Sequence, residues 1–202
     1  MDTLLPQSIG WYGKLPSRGD FVGSGLPRAW LHRWDDWLQH ALAGAAQQLG
    51  AATLRERLAA MPAWHGLVLA ARPGEPVWCG VVVGSTDRVG RAFPLLIAEA
   101  CDAAALDQVA VADVHLRALS VSDWLETARS SPPKEFDAGI AQLAATPWTI
   151  APAPEDDVAA LRARWPRAAS FWWCLAPTGE PQAPFAEGWP PREDLLLDWL
   201  VI

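Results

Sequence analysis

The chain has 202 residues, of which 51% are hydrophobic and 19% charged, and it carries a formal net charge of -7. That length suffices for one well-buried domain, or one domain with a small C-terminal subdomain, and the composition excludes bulk disorder. The acidic balance argues against nucleic acid or an anionic membrane as the main partner. Thirteen tryptophans stand against one tyrosine; indole combines a large apolar area with an N–H that wants a partner, so it favours edges and interfaces. Cys79, Cys101 and Cys174 are odd in number and widely spaced, which reads as reduced thiols packed as small hydrophobes. With no signal-peptide pattern and no apolar run of spanning length, the expected location is the cytoplasm.

In chain order, residues 8–12 favour a short strand leading into an unusual stretch, Gly10 to Phe21. It holds three glycines, one proline, Lys14, Arg18, Asp20 and three aromatics in twelve positions, more charge than a turn requires. Gly23 to Pro27 reads as a second turn, with Pro27 placed to start a helix. Trp30, Trp34, Trp37, Leu38, Ala41, Ala45 and Leu49 then follow helical spacing, and Gly50 is the expected stop. Thr53 and Glu56 fit a capping box for a shorter helix ending near Met61.

Two apolar runs, 64–71 and 77–83, separated by Arg72-Pro73-Gly74-Glu75-Pro76, predict a hairpin. A third strand is expected over 93–98, with Pro94 at its start or at an edge. Between these strands lies a second glycine-rich charged stretch, Gly84 to Leu95, carrying Asp87, Arg88 and Arg91. Asp102 is placed to cap a short helix. Val114, Leu119, Trp124, Leu125 and Ala128 suggest another, and Ser131-Pro132-Pro133 opens a third with Phe136, Ile140, Leu143 and Ala144 on one face. Residues 151–154 read as a short linker, followed by a helix from about Glu155 to Trp165. Ser170 to Leu175 is the clearest late strand, and after a turn over 177–181 the chain ends in a helix with Leu195, Leu196, Trp199 and Leu200 inward. The class expected is α+β, with α/β as the alternative: a central, largely antiparallel sheet with packed helices in a single domain spanning 1–202, of which 100–202 forms a helix-rich C-terminal subregion.

Known site chemistry is poorly represented. The phosphate-binding loop needs four residues between its glycines and then Gly-Lys-Ser/Thr; here Gly10 and Gly13 enclose two, and Leu15 stands where the hydroxyl belongs. Of the four histidines, His32 and His40 lie eight apart on the first helix without a third ligand, and His65 and His115 have no metal-ligand spacing either. No GxSxG elbow occurs. The adjacent acids Asp35-Asp36 and Asp156-Asp157 diverge on a helix and suit a solvated face or a cap. No catalytic set, metal site or cofactor is therefore expected.

The six charged residues of the two glycine-rich stretches admit two readings. If the stretches converge, Lys14, Arg18, Arg88 and Arg91 present cations to a small phosphate or carboxylate. Alternatively Asp20 and Asp87 close a structural network, Arg18 with Asp87 or Asp20 with Arg88. A binding surface rich in exposed tryptophan and without a deep polar pocket accompanies the second reading; an open concave site with unpaired cations accompanies the first.

The motifs themselves resemble the TagF family of type VI secretion system-associated proteins. That family carries a glycine-aromatic-aromatic-GKLPxxGDF signature, matched by Gly10-Trp11-Tyr12-Gly13-Lys14-Leu15-Pro16-Ser17-Arg18-Gly19-Asp20-Phe21, and a WDxWL helix, matched by Trp34-Asp35-Asp36-Trp37-Leu38. An S-x-D-x-x-G-R-x-F-P-L stretch is matched by Ser85 to Leu95, and a double tryptophan by Trp172-Trp173. The resemblance implies a non-enzymatic cytoplasmic accessory protein that represses secretion post-translationally by binding. The forkhead-associated scaffold of the apparatus is the implied partner. Some relatives are fused to a PP2C-type phosphatase; 202 residues leave no room for that fusion, so such a phosphatase is expected on a separate chain.

Overall fold

The computed structural model describes residues 2–4, 6–150, 157–174 and 185–200. The linker expected over 151–154, the first residues of the helix expected from Glu155, the end of the late strand at Leu175 and the turn over 177–181 lie outside the described residues. Nine strands and seven helices follow in the described chain: β1 (Asp2–Leu4), β2 (Ser8–Gly13), β3 (Val22–Ser24), α1 (Arg28–Leu49), α2 (Ala51–Ala60), β4 (Trp64–Val68), β5 (Val77–Val83), β6 (Leu95–Cys101), α3 (Ala103–Leu106), α4 (Val111–Ala128), α5 (Pro133–Ala145), β7 (Trp148–Ile150), α6 (Val158–Arg164), β8 (Ser170–Trp173), β9 (Phe185–Glu187) and α7 (Leu195–Trp199). Seven strands form one sheet in the order β3-β2-β6-β5-β4-β8-β9, and β1 pairs with β7 in a separate ribbon. Every pairing among the described strands is antiparallel, which makes the class α+β.

The central strands are apolar on both faces, as a sheet covered by helices on both sides requires. Side chains alternate along each strand. On β5, Trp78 and Val82 face one side with Trp34, Trp37 and Leu38 of α1 and Leu195 and Trp199 of α7. Val77, Cys79 and Val81 face the other, with Val114, Ala118 and Val121 of α4. The tryptophan stripe on α1 is inward, as its spacing predicts: Trp34 stacks near Trp30, Trp37, Trp172 and Trp189 at centroid distances of 5.0–6.1 Å. Their N–H groups are satisfied internally at several points, Trp37 Nε1 donating to Arg192 O, Trp64 Nε1 to Trp199 O and Trp172 Nε1 to Ser170 Oγ.

The expected exposed tryptophan surface is absent. Nine of the 13 tryptophans are buried and the remaining four half-buried, because three elements each contribute indoles to one aromatic layer and cover one another. Three boundaries also differ from expectation. Gly23 and Ser24, expected in a turn, are extended and pair with Tyr12 and Trp11; pairing with β2 outweighs a weak local preference. α2 starts directly from Gly50, with no side-chain cap, so the Thr53/Glu56 capping box does not form. β6 begins at Leu95, since Pro94 has no N–H to give the ladder. Asp102 caps α3, accepting from the Ala105 N–H at 2.8 Å, as expected.

Candidate functional site

The two glycine-rich stretches meet at one end of the sheet, because β2 and β6 are paired neighbours. The first stretch leaves the end of β2, and the second connects β5 to β6. At the junction Gly13 takes φ +147°, and a Cβ there would lie 2.4 Å from Pro94 O. Only glycine lets the two backbones approach that closely. The backbones are then tied together: Arg88 N–H donates to Arg18 O at 2.7 Å, and Ser85 Oγ donates to Lys14 O at 2.7 Å.

Asp87 organises the charges. Its Oδ1 accepts the backbone N–H groups of Val89 and Arg91 at 3.0 and 2.9 Å. Its Oδ2 accepts Arg91 Nε at 2.6 Å and faces Lys14 Nζ at 3.3 Å. Arg91 Nη2 goes on to donate to Gly19 O at 2.6 Å, returning to the first loop. Burial alone raises the Asp87 pKa, but the hydrogen bonds from Arg91, Lys14 and Val89 outweigh it and hold the carboxyl below the usual carboxylate range.

The network expected between the loops exists, with different partners. Asp87 is paired with Lys14 and Arg91 rather than with Arg18. Asp20 accepts from its neighbouring Phe21 N–H at 2.8 Å rather than from Arg88. The reason is directional: Lys14 directly follows β2 and turns inward, whereas Arg18, Asp20 and Arg88 sit on the outer bends and are exposed. Arg18 and Arg88 make no ion pair among the described residues.

An aromatic wall stands on this network. Phe21, 43% exposed, packs edge-on against Phe93 at 4.6 Å and stacks on Tyr12 at 5.8 Å. Lys14 Nζ lies 5.0 Å from the Phe21 ring centroid, so the same ammonium serves a carboxylate and a ring face. Tyr12 OH donates to Asp35 Oδ1 at 2.8 Å, which links the wall to α1, and Gln39 Nε2 donates to Asp35 Oδ2 at 2.6 Å. Burial and the adjacent Asp35 carboxylate both raise the Tyr12 pKa well above its ordinary value. Val89, at the tip of the second loop, is 68% exposed. The result is a partly apolar surface, braced by these contacts and flanked by the exposed cations of Arg18 and Arg88.

Sequence reasoning did not single out a buried polar seam between the sheet and α4. Arg117 on α4 forms a bidentate pair with Glu99 of β6, Nε donating to Oε2 at 2.9 Å and Nη2 to Oε1, and Nη2 also donates to Leu143 O at 2.8 Å. Beside it, His65 Nδ1 and His115 Nδ1 lie 3.0 Å apart, and Trp173 Nε1 donates to His115 Nδ1 at 2.9 Å. The Trp173 N–H makes His115 Nδ1 an acceptor, which leaves the His115 ring neutral and calls for the proton between the two rings to sit on His65 Nδ1. Burial lowers both pKa values, and the neighbouring His115 charge adds to the effect on His65, pushed down to about 3. The one signal available was Glu99 inside the apolar run Leu95–Cys101, since a charge there needs a buried counterion. His32 and His40, by contrast, are exposed on α1, His32 Nδ1 lying 2.6 Å from Asp36 Oδ2.

Among the described residues, no group of three or more His, Cys, Asp or Glu side chains is arranged to hold a metal ion. Among the same described residues, no helix is long and apolar enough to cross a membrane.

A family model described as TagF N-terminal domain, type VI secretion system-associated, matches residues 10–143. The crystal structure of PA0076 from Pseudomonas aeruginosa PAO1 aligns with a TM-score of 0.69 at 26% identity, covering 96% of this chain and 94% of that one. No curated protein matches the sequence. The matched span includes the end of β2, the junction of the two loops, α1 and most of the sheet, and on it the chain belongs to the TagF N-terminal domain family associated with type VI secretion.

Proposed function

We propose that this chain is a non-enzymatic, cytoplasmic accessory protein of the type VI secretion system that represses secretion post-translationally by binding a component of the apparatus. The forkhead-associated scaffold is the component we assign, with a PP2C-type phosphatase on a separate chain as a further partner. The observation that carries the reading is the closure of the loop junction. Lys14 and Arg91 are committed to Asp87, while the Phe21 ring is left outside on an aromatic support. Charges spent on internal order do not do substrate chemistry, and a preorganised aromatic beside arginines is the composition of a protein-binding hot spot. His65, His115 and the Glu99–Arg117 pair are enclosed between the sheet and α4, which keeps them from substrate.

The test is direct binding of the purified chain to the purified scaffold, together with secretion from cells lacking the chain. Deletion should raise secretion at unchanged levels of the apparatus components, and Phe21→Ala should weaken binding without changing the melting temperature. Absence of binding to the scaffold, with secretion unchanged on deletion, rejects the proposal.

A second reading rests on Arg18 and Arg88, which make no ion pair among the described residues and flank the junction: a small phosphate or carboxylate ligand held there. Titration with inorganic phosphate separates the two readings, since only this one expects the Arg18 and Arg88 resonances to move at millimolar phosphate.

A further inference from the structure

β3 is the last strand of the seven-stranded sheet, and its outer side pairs with no other described strand. Such an edge presents a row of backbone N–H and C=O groups ready for another strand. Beside it runs an open groove of about 580 Å³, bounded by β3 on one side and by α5 on the other. The groove exists because α5 stands over β2, with Phe136 against Trp11 at 4.8 Å, and leaves the next strand out uncovered. Ile9, Trp11, Leu15 and Ile140 supply apolar lining. Val22 and Ser24 pair with Gly13 and Trp11, so they share the face that Trp11 turns toward α5. At the loop end the lining includes Phe21 and Arg18, and Asp137 lies on the α5 wall.

We propose that this groove docks an extended segment of a partner protein as an eighth strand beside β3, with an acidic side chain of that segment at Arg18. An added strand sits about 4.8 Å beyond β3, and every second side chain then drops toward α5. That geometry calls for apolar residues at alternate positions, facing Ile140 and Trp11, and polar residues between them. The edge says what kind of ligand fits, because only a polypeptide backbone offers the complementary ladder of donors and acceptors. The end of the groove says which side chain: Arg18 is exposed, without a carboxylate among the described residues, on a chain whose net charge is -7. Phe21 lines that end of the groove as well. The inference deepens the binding role proposed above by naming the chemistry of the segment recognised, and rests on that role for its biological meaning only.

The test uses the full isotope-labelled chain and a short synthetic peptide alternating valine and glutamate, with a valine–lysine peptide of equal length as control. The glutamate peptide should shift the amide resonances of Val22, Gly23 and Ser24 and slow hydrogen exchange about tenfold at saturation for those of the three whose N–H points away from β2. Arg18→Glu should weaken binding about tenfold or more. Ala141→Glu, an exposed position on the α5 wall, should abolish binding while the melting temperature stays that of the wild type. No change at β3 at millimolar peptide overturns the proposal, and so does equal binding of the lysine peptide. A free chain that is already dimeric, with its β3 amides protected, overturns it as well, because a second copy then fills the edge. Since no component of the secretion apparatus enters the experiment, a negative result here is distinct from failure of the scaffold to bind.

Discussion

Asp87 Oδ2 lies 3.3 Å from Lys14 Nζ, and the carboxylate is closed to solvent while the ammonium is nearly so. The pair joins two loops that are distant in sequence; Asp87 is the carboxylate that balances the enclosed Lys14 ammonium, while Asp87 itself is held charged first by Arg91 and then by Lys14. Removing one leaves an uncompensated buried charge, a heavier loss than that of an exposed ion pair. Asp87→Ala should therefore lower the melting temperature more than Arg91→Ala, because the Arg91 side chain is largely exposed. Lys14→Met with Asp87→Leu should recover part of the loss, by removing both charges together. Thermal melts of the three variants decide this, and equal effects at Asp87 and Arg91 would contradict the buried role of Lys14.

Trp34 is 1% exposed and contacts four other indoles. Truncation of such a side chain costs roughly 3–5 kcal/mol, a large part of the roughly 5–15 kcal/mol that holds a domain folded. Trp34→Ala should lose that amount in urea titration. Trp124→Ala, at a half-buried position on α4, should lose less.

How much of this was legible follows from the kind of signal each feature leaves. The spacing of Trp30, Trp34 and Trp37 betrays a helix and its buried face, because helical period and core burial coincide there. The β4–β5 hairpin shows in two apolar runs with Pro and Gly between them. The strands β1, β3, β7 and β9 have three residues each, too few for a pattern, and their backbone is set by the strand beside them. The convergence of the two loops could be read from complementary charge, but not the choice of partner. Whether Lys14 or Arg18 turns inward depends on where β2 ends, and that boundary is fixed by Gly13 packing on Pro94. The tryptophans misled in the opposite direction: their number suggested an interface, and only the stacking of α1, β8 and the Trp189 segment reveals that they cover one another.

Gly66 sits in the middle of β4 under the Trp172 ring, where an added Cβ would meet Trp172 Cζ3 at 2.2 Å. Trp172 is itself packed against Trp34 and Trp199, so it has nowhere to move. Gly66→Ala should destabilise by about 1–3 kcal/mol or more, the cost of overpacking a well-filled core, although alanine normally suits a strand no worse than glycine. Gly74→Ala, in an exposed turn with open space around it but φ +84°, should cost only the backbone strain of that conformation, roughly 1 kcal/mol. Chemical denaturation of both variants gives the comparison, and a neutral Gly66→Ala would mean that the Trp layer can shift.

The histidine pair makes stability depend on pH in a definite direction. His65 titrates near 6.5 when unfolded and is pushed down to about 3 in the folded protein, by burial and by His115. Between those values the unfolded state binds the extra proton, so stability is complete above about pH 6.5 and falls as the pH drops toward 3. For one such histidine the loss between pH 7 and pH 5 is about 2 kcal/mol. Asp87 works in the same sense further down: its folded pKa is depressed, so its contribution is present above about pH 4, the ordinary carboxylate value, and is lost only below it. The first acid-induced loss thus belongs to the histidines. Replacing both, as His65→Gln with His115→Gln, should flatten the stability profile between pH 7 and pH 5, whatever the double variant loses at pH 7. Urea titrations of wild type and double variant at both pH values measure this; a wild-type profile that is flat over that range, or an equally steep one in the variant, would remove the pair as its cause.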